Sequence, residues 1–153
     1  MSAGRDYVKF EGVNCTLIIR RPQPGIVVAS FKGRDVGEFG DAPFRELAID
    51  LEHQAPIQLF VDGRETLAAS LDVSGSWANW LREQKDQIRR LDILCGSRFL
   101  QFTAEFVRRF SGFEDRMRIY TDAEAFEAEL GVAIRQAGKP TSPRAIDRRQ
   151  DLP

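Results

Sequence analysis

Three acids, Asp62, Glu65 and Asp72, cluster around the end of one apolar run and the start of the next segment. Carboxylates at the carboxyl end of a strand in an α/β sheet can hold a divalent cation or work as acid and base. They come without a supporting His or Cys, so solvated loop acids are the plainer reading. His53 is the only histidine, near the end of a helix-like segment, where a cation meets the negative end of the dipole. A Ser-His-Asp arrangement would draw on His53 with Ser70, Ser74 or Ser97, and no local sequence resembles a nucleophile elbow. Cys15 and Cys95 border β-like runs, lack the spacing of a metal knuckle and read as core thiols. Gly33, Gly37 and Gly40 form a Gly-rich stretch without the Lys-Ser/Thr of a phosphate loop. No metal site and no cofactor site follows from these residues. Arg108-Arg109-Phe110-Ser111 has the look of a basophilic kinase site, but helical spacing points Phe110 inward.

The segment Asp72-Val73-Ser74-Gly75-Ser76 carries more. Ser74 and Ser76 fall near an expected helix start, where unpaired N–H groups favour negative charge. A phosphate there would add about −1.5 to −2 charges and change a docking surface. The plain alternative is that Ser74 or Ser76 is the N-cap. Trp77 and Trp80 follow on one helical face, as core or, where exposed, as a partner site.

The elements that must position these residues can be read from pattern. Tyr7 to Glu11 is a short edge-strand candidate, and Thr16 to Arg20 is a strand. Pro22, Pro24 and Gly25 make a turn, and Ile26 to Phe31 returns as the second arm of an antiparallel hairpin. Gly33 to Gly40 is a loop, Asp41 an N-cap, and Phe44, Leu47, Ala48 and Leu51 one face of a helix. Ile57 to Val61 is a strand ending at Asp62-Gly63. Leu67 to Gly75 is a connection. Ser76 opens a helix with Trp77, Trp80, Leu81, Gln84 and Ile88 on one face. Leu91 to Cys95 is a strand, and Phe99 to Phe110 a helix with Phe99, Phe102, Thr103, Phe106, Val107 and Phe110 in register. Met117 to Thr121 is the next strand, and Asp122 opens a helix burying Phe126, Leu130, Ala133 and Ile134.

This order predicts an α/β fold: a mixed, mostly parallel sheet of about five strands begun by an antiparallel hairpin, with four helices mainly on one face. Residues 1–137 form the domain. From Gly138 to Pro153 periodicity stops, three of the seven prolines occur, and the expectation is a flexible tail.

Composition removes several function classes. The 153 residues are 42% apolar and 29% charged, the balance of one soluble globular domain. A net charge of −1 gives no bulk drive towards nucleic acid or anionic lipid. No apolar run is long enough for a membrane span. MSAGRDYVKFEG lacks the apolar core of a signal peptide, and two scattered cysteines point to a reducing, cytoplasmic setting. Charge is nevertheless uneven. Asp35 to Asp72 holds nine acids against Arg45 and Arg64, while Arg82 to Arg118 holds nine bases against six acids. A molecule with an acidic and a basic side can dock a partner or self-associate as a homo-oligomer.

From Thr16 to Leu130 the chain resembles a STAS domain, the fold of bacterial anti-sigma-factor antagonists. The resemblance rests on the element order and four local matches: the hairpin leading to Asp41 and the first helix; LFVDG, Leu59 to Gly63; Asp72-Val73-Ser74-Gly75 before a helix; and the closing module FVRRFSGFEDRMRIYTDAEAFEAEL. In that family a partner kinase phosphorylates the Ser or Thr just after the Asp. Here that place is Val73, and Ser74 matches the second hydroxyl residue. The resemblance implies a non-enzymatic regulatory or scaffolding module with a degenerate phosphoacceptor. Its partner would be a kinase, an anti-sigma-like protein or a scaffold protein. The expected partner surface is Asp72, Ser74, Ser76, Trp77 and Trp80 with Asp35 and Asp41 on the neighbouring loop, and Ser74 is the candidate for phosphorylation. The broader STAS-like group implies the alternative of a small-molecule or lipid binder, with a pocket between the sheet and the Trp/Phe-rich helices.

Overall fold

β-branched and aromatic residues are frequent in β1 (Tyr7–Glu11) and in the first half of β2 (Cys15–Gln23), which pair antiparallel. Pro24 and Gly25 turn the chain into β3 (Ile26–Asp35), antiparallel to β2. Then α1 (Ala42–Gln54), β4 (Ile57–Ala69), α2 (Leu71–Glu83), β5 (Ile88–Cys95), α3 (Arg98–Ser111), β6 (Met117–Tyr120) and α4 (Ala123–Ala137) follow, with a short 3-10 turn at Lys85–Gln87. This computed structural model describes residues 6–139. The expected tail, 138–153, lies almost wholly outside the described residues.

The sheet has six strands in the order β1-β2-β3-β4-β5-β6. Strands β3 to β6 are parallel. The edge strand at Tyr7–Glu11 is the one beyond the expected five.

The strand order explains the helix layers. Each crossover from β3 to β6 steps in the same direction, and right-handed crossovers that step one way place their helices on one face. Accordingly α1, α2 and α3 share a core with the sheet: Leu47, Leu51, Ala78, Leu81, Leu100, Ala104 and Val107 pack over Leu17, Ile19, Val27, Leu59 and Leu91. Helix α4 follows β6, leads to no further strand among the described residues, and covers the other face. There Phe126 and Ala133 pack on Ile26, Val28, Phe60 and Leu94. Strand β3 thus feeds alternate residues to two cores.

Two buried carboxylates, Asp50 and Asp92, are paired with arginines. Arg21 on β2 grips Asp50 of α1 at 2.8 and 2.9 Å and Glu46 at 3.0 Å. Asp92, fully buried under α4, accepts from Gln58 at 3.1 Å, Tyr120 at 2.7 Å and Arg90 at 3.3 Å.

Three expectations need correction. Strand β4 does not stop at Asp62-Gly63; it runs to Ala69, pairing Asp35 with Ala69. Gly63 is needed inside it because Leu100 of α3 seats there, and a Cβ would lie 2.5 Å from its Cδ2. Helix α2 begins at Leu71, not Ser76, and Ile88 opens β5 rather than closing the helix. In α3 the buried residues are Leu100, Ala104, Val107 and Ser111, while Phe99, Phe102, Phe106 and Phe110 are exposed. Phe110 therefore does not face inward.

Candidate functional site

The N-terminus of α2 is built by Ser70. Its backbone is extended, its Oγ accepts from the Val73 N–H at 3.1 Å, and its own N–H donates to the Asp35 carbonyl at 3.0 Å. One serine thus caps the helix and ties the end of β4 to the end of β3. The sequence pattern places the cap at Ser74 or Ser76, after a connection over Leu67 to Gly75. The missed signal is Ser70 followed by an acid, Asp72, in the first turn.

With the N-cap at Ser70, six residues before Ser76, the DVSGS residues separate by face. Asp72 and Ser76 are exposed, whereas Val73 and Ser74 are buried. The Ser74 hydroxyl donates to the Ser70 carbonyl at 2.9 Å. It points inward, away from the surface where a kinase would meet it. Trp77 and Trp80 are half-buried in an aromatic cluster with Phe44 of α1, at ring distances of 4.8 and 5.3 Å. That cluster fixes α1 against α2.

The loop after β3 closes over this helix end. Gly37, at φ +90°, turns its N–H back onto the Asp35 carboxylate at 3.1 Å. Glu38 reaches across to the β1–β2 turn and accepts from the Val13 and Asn14 N–H groups at 3.2 and 2.9 Å. Asp41 occupies the N-cap position of α1 as expected, yet makes no capping bond; its carboxylate pairs with Arg45 instead. Burial drives the Asp35 carboxyl above its ordinary value. The Gly37 bond works against that rise, and the nearby Glu38 charge adds to it.

Five of the sequence-predicted residues meet in one cleft of about 340 Å³: Asp35 and Asp41 from the loop, and Asp72, Ser76 and Trp77 from α2. Trp80 is not among its walls, and neither is Ser74. Ser74 lines instead an apolar cavity of about 80 Å³ between the sheet, α2 and α3. Its other walls include Phe31, Val61, Trp77, Leu91, Leu100 and Val107, with Thr66, Thr103 and Asp35 as polar members. Asp35 borders both spaces.

The other candidates disperse. Asp62 is engaged by Arg64 at 3.0 Å, and Arg64 also holds Glu127 at 2.6 Å. Among the described residues no three His, Cys, Asp or Glu side chains lie together so as to hold a metal ion. His53 is exposed in the last turn of α1, bonded to the Ile49 carbonyl at 2.9 Å. Cys15 and Cys95 are free and buried, and burial pushes each thiol up to about 11, aided by Asp35 and Glu38 at Cys15 and by Glu105 at Cys95. Neither is a thiolate at neutral pH.

No protein-family model matches the chain, and no curated protein matches it. Solved structures do. One is an uncharacterised protein of the DUF3478 family with a SpoIIAA-like fold, from Shewanella loihica, at TM-score 0.54 and 14% identity, covering 79% of this chain and 98% of that one. Another is an anti-sigma factor antagonist from Mycobacterium paratuberculosis, at TM-score 0.50 and 14% identity, with the same coverage. The fold is STAS-like. At this identity the likeness extends to the fold alone. Within that STAS-like frame, the monotonic strand order leaves the parallel strands without a reversal, so the crevice at which open α/β sheets commonly bind ligands is not formed here. The cleft and the cavity arise instead from the β3–α1 loop and the α2–α3 pair. No helix among the described residues is long and apolar enough to cross a membrane.

Proposed function

We propose that this chain is a STAS-like regulatory or scaffolding module, non-enzymatic and cytoplasmic, with residues 1–137 as the domain. It binds another protein through the cleft at the N-terminal end of α2. The carrying observation is the convergence of Asp35, Asp41, Asp72, Ser76 and Trp77 on that cleft. Its exposed charge is acidic at Asp72, so the matching surface is basic: an anti-sigma-like protein, a kinase or a scaffold presenting Lys or Arg.

In this reading docking at the cleft is constitutive, and the exposed Ser76 hydroxyl is what the phosphatase arm below tests. Val73 has no hydroxyl, and the Ser74 hydroxyl is buried and engaged. For the same reason Ser74 and Trp80 are poor probes of the surface, since changing either disturbs internal contacts. Asp72 and Ser76 are the clean ones. Affinity purification of the tagged protein from its own cell, wild type beside Asp72→Arg/Ser76→Arg, tests the reading. The expected result is a partner whose recovery falls at least about tenfold in the variant and is unchanged by phosphatase treatment. A partner retained equally by the variant sinks the cleft assignment, and one lost on phosphatase treatment sinks constitutive docking.

The second reading is a small-molecule or lipid binder, favoured by the apolar cavity under α2 and α3. At about 80 Å³ it admits a short alkyl group. Native mass spectrometry of freshly purified protein would show a retained ligand, and an apo mass under gentle conditions counts against it.

A further inference from the structure

Helix α3 leaves four aromatic rings in water. Phe99 is 75% exposed, Phe102 69%, Phe110 52% and Phe106 37%, and Phe106 and Phe110 touch at 4.6 Å between ring centres. The helix needs none of them for its core contact, which Leu100, Ala104, Val107 and Ser111 supply. At 100° per residue the four rings form one continuous stripe beside the buried one. Leu71, 84% exposed at the start of α2, stands at the same end of the helix layer as Phe99.

The charges beside the stripe identify what covers it. Arg98 and Arg109 fall within about 40° of Phe102 around the helix axis. Neither forms an ion pair among the described residues, whereas Arg108 is held by Glu105 at 2.7 Å. Glu105 is the helix's one acid. A second copy set against this stripe by a two-fold axis would bring these guanidinium groups against their own kind, which opposes association. A bilayer surface needs no complementary shape: it takes aromatic rings at the acyl boundary and sets anionic headgroups beside arginines.

We propose that α3 is an interfacial docking helix, with Phe99, Phe102, Phe106 and Phe110 entering an anionic bilayer and Arg98 and Arg109 meeting its headgroups. The chain's net charge of −1 does not oppose this, because the basic charge is local to the stripe. The surface is separate from the α2 cleft, and the inference stands whatever binds there.

Flotation of the full chain with vesicles tests it. One set is phosphatidylcholine alone, and the other is phosphatidylcholine mixed with phosphatidylglycerol. Wild type is expected to float with the mixed vesicles, less so at high salt, and to leave phosphatidylcholine vesicles largely bare. Phe102→Ser/Phe106→Ser is expected to lower the partition coefficient at least about tenfold, with Phe99→Ser as a second single-site test. Arg98→Gln/Arg109→Gln is expected to remove the preference for the anionic vesicles. All these side chains are exposed to solvent, so unchanged thermal melts are expected to accompany the losses. Wild type remaining unbound with both compositions overturns the proposal, as does a Phe variant that floats like wild type. So does a wild-type dimer in sedimentation equilibrium that the Phe102→Ser/Phe106→Ser change dissolves, because a second copy would then occupy the stripe.

Discussion

Helices α2 and α3 lie side by side on the same face of the sheet, each capped by a serine, at Ser70 and Ser97, and each carrying aromatic residues at helical spacing. Their aromatics have opposite fates. Trp77 and Trp80 of α2 turn towards α1 and are locked among Phe44 and Phe31. The four phenylalanines of α3 turn to solvent because a stripe of smaller residues already fills the seat on the sheet. The difference comes from the neighbours. Helix α2 has another helix on its far flank, whereas α3 ends the layer. Large rings at i, i+3 and i+4 mark an apolar stripe, and only the position of the helix in its layer decides whether that stripe is core or surface.

The contrast can be broken most directly by stability. Trp77→Ala is expected to cost about 3 kcal/mol in urea denaturation, since it opens the aromatic cluster. Phe102→Ser should stay within about 0.5 kcal/mol of wild type in the same assay. Comparable losses at the two sites would show that the α3 rings support the fold after all. A finer test uses the caps. Ser70→Ala and Ser97→Ala are each expected to cost about 1 kcal/mol, because the two N-termini are built alike. A much larger loss at Ser70 would reveal that its tie to the Asp35 carbonyl matters more than the cap. The smallest effect concerns pH. Burial holds the Asp35 carboxyl above 3.8, so the folded state binds that proton more tightly than the unfolded chain. The resulting stability is full below 3.8 and is lost as pH rises through the elevated folded value. Asp35→Asn, neutral throughout and still able to accept from Gly37, is expected to melt above wild type at pH 7, with the gap closing on acidification. A gap that stays constant with pH would assign the difference to packing instead.

Much of the architecture was legible in the residues. Pro24 with Gly25 announced the hairpin turn, although Pro22, read as part of it, lies inside β2, and the β-α alternation announced parallel strands and their crossovers. The two boundaries misread share one cause. Gly63 and Gly75 looked like stops, yet Gly63 sits in mid-strand to admit Leu100, and Gly75 rides inside α2 with open space beside it. A glycine signals close approach or tolerance as readily as termination, and sequence does not say what approaches it. That Asp35, Asp41, Asp72, Ser76 and Trp77 line one cleft follows from the chain path, since the loop after β3 and the start of α2 adjoin at the carboxyl ends of β3 and β4. Ser74 lies outside that cleft, because a helix capped at Ser70 instead of Ser76, six residues earlier, turns its side chain to the interior. The exposed ring stripe was hidden by the same periodicity that revealed the helix.

The position of α4 at the very end of the described fold has a consequence for how the chain is made. From β2 to β6 each strand pairs with the one made just before it, because the strands adjoin in chain order. The face covered by α4 is different: Val28, Phe60 and Leu94 stay open to water, and Asp92 stays uncovered, until Ala123–Ala137 has left the ribosome. A nascent chain halted before that helix is a sheet clothed on one side only. It would be sticky, and a natural client for the chaperones that wait at the tunnel exit.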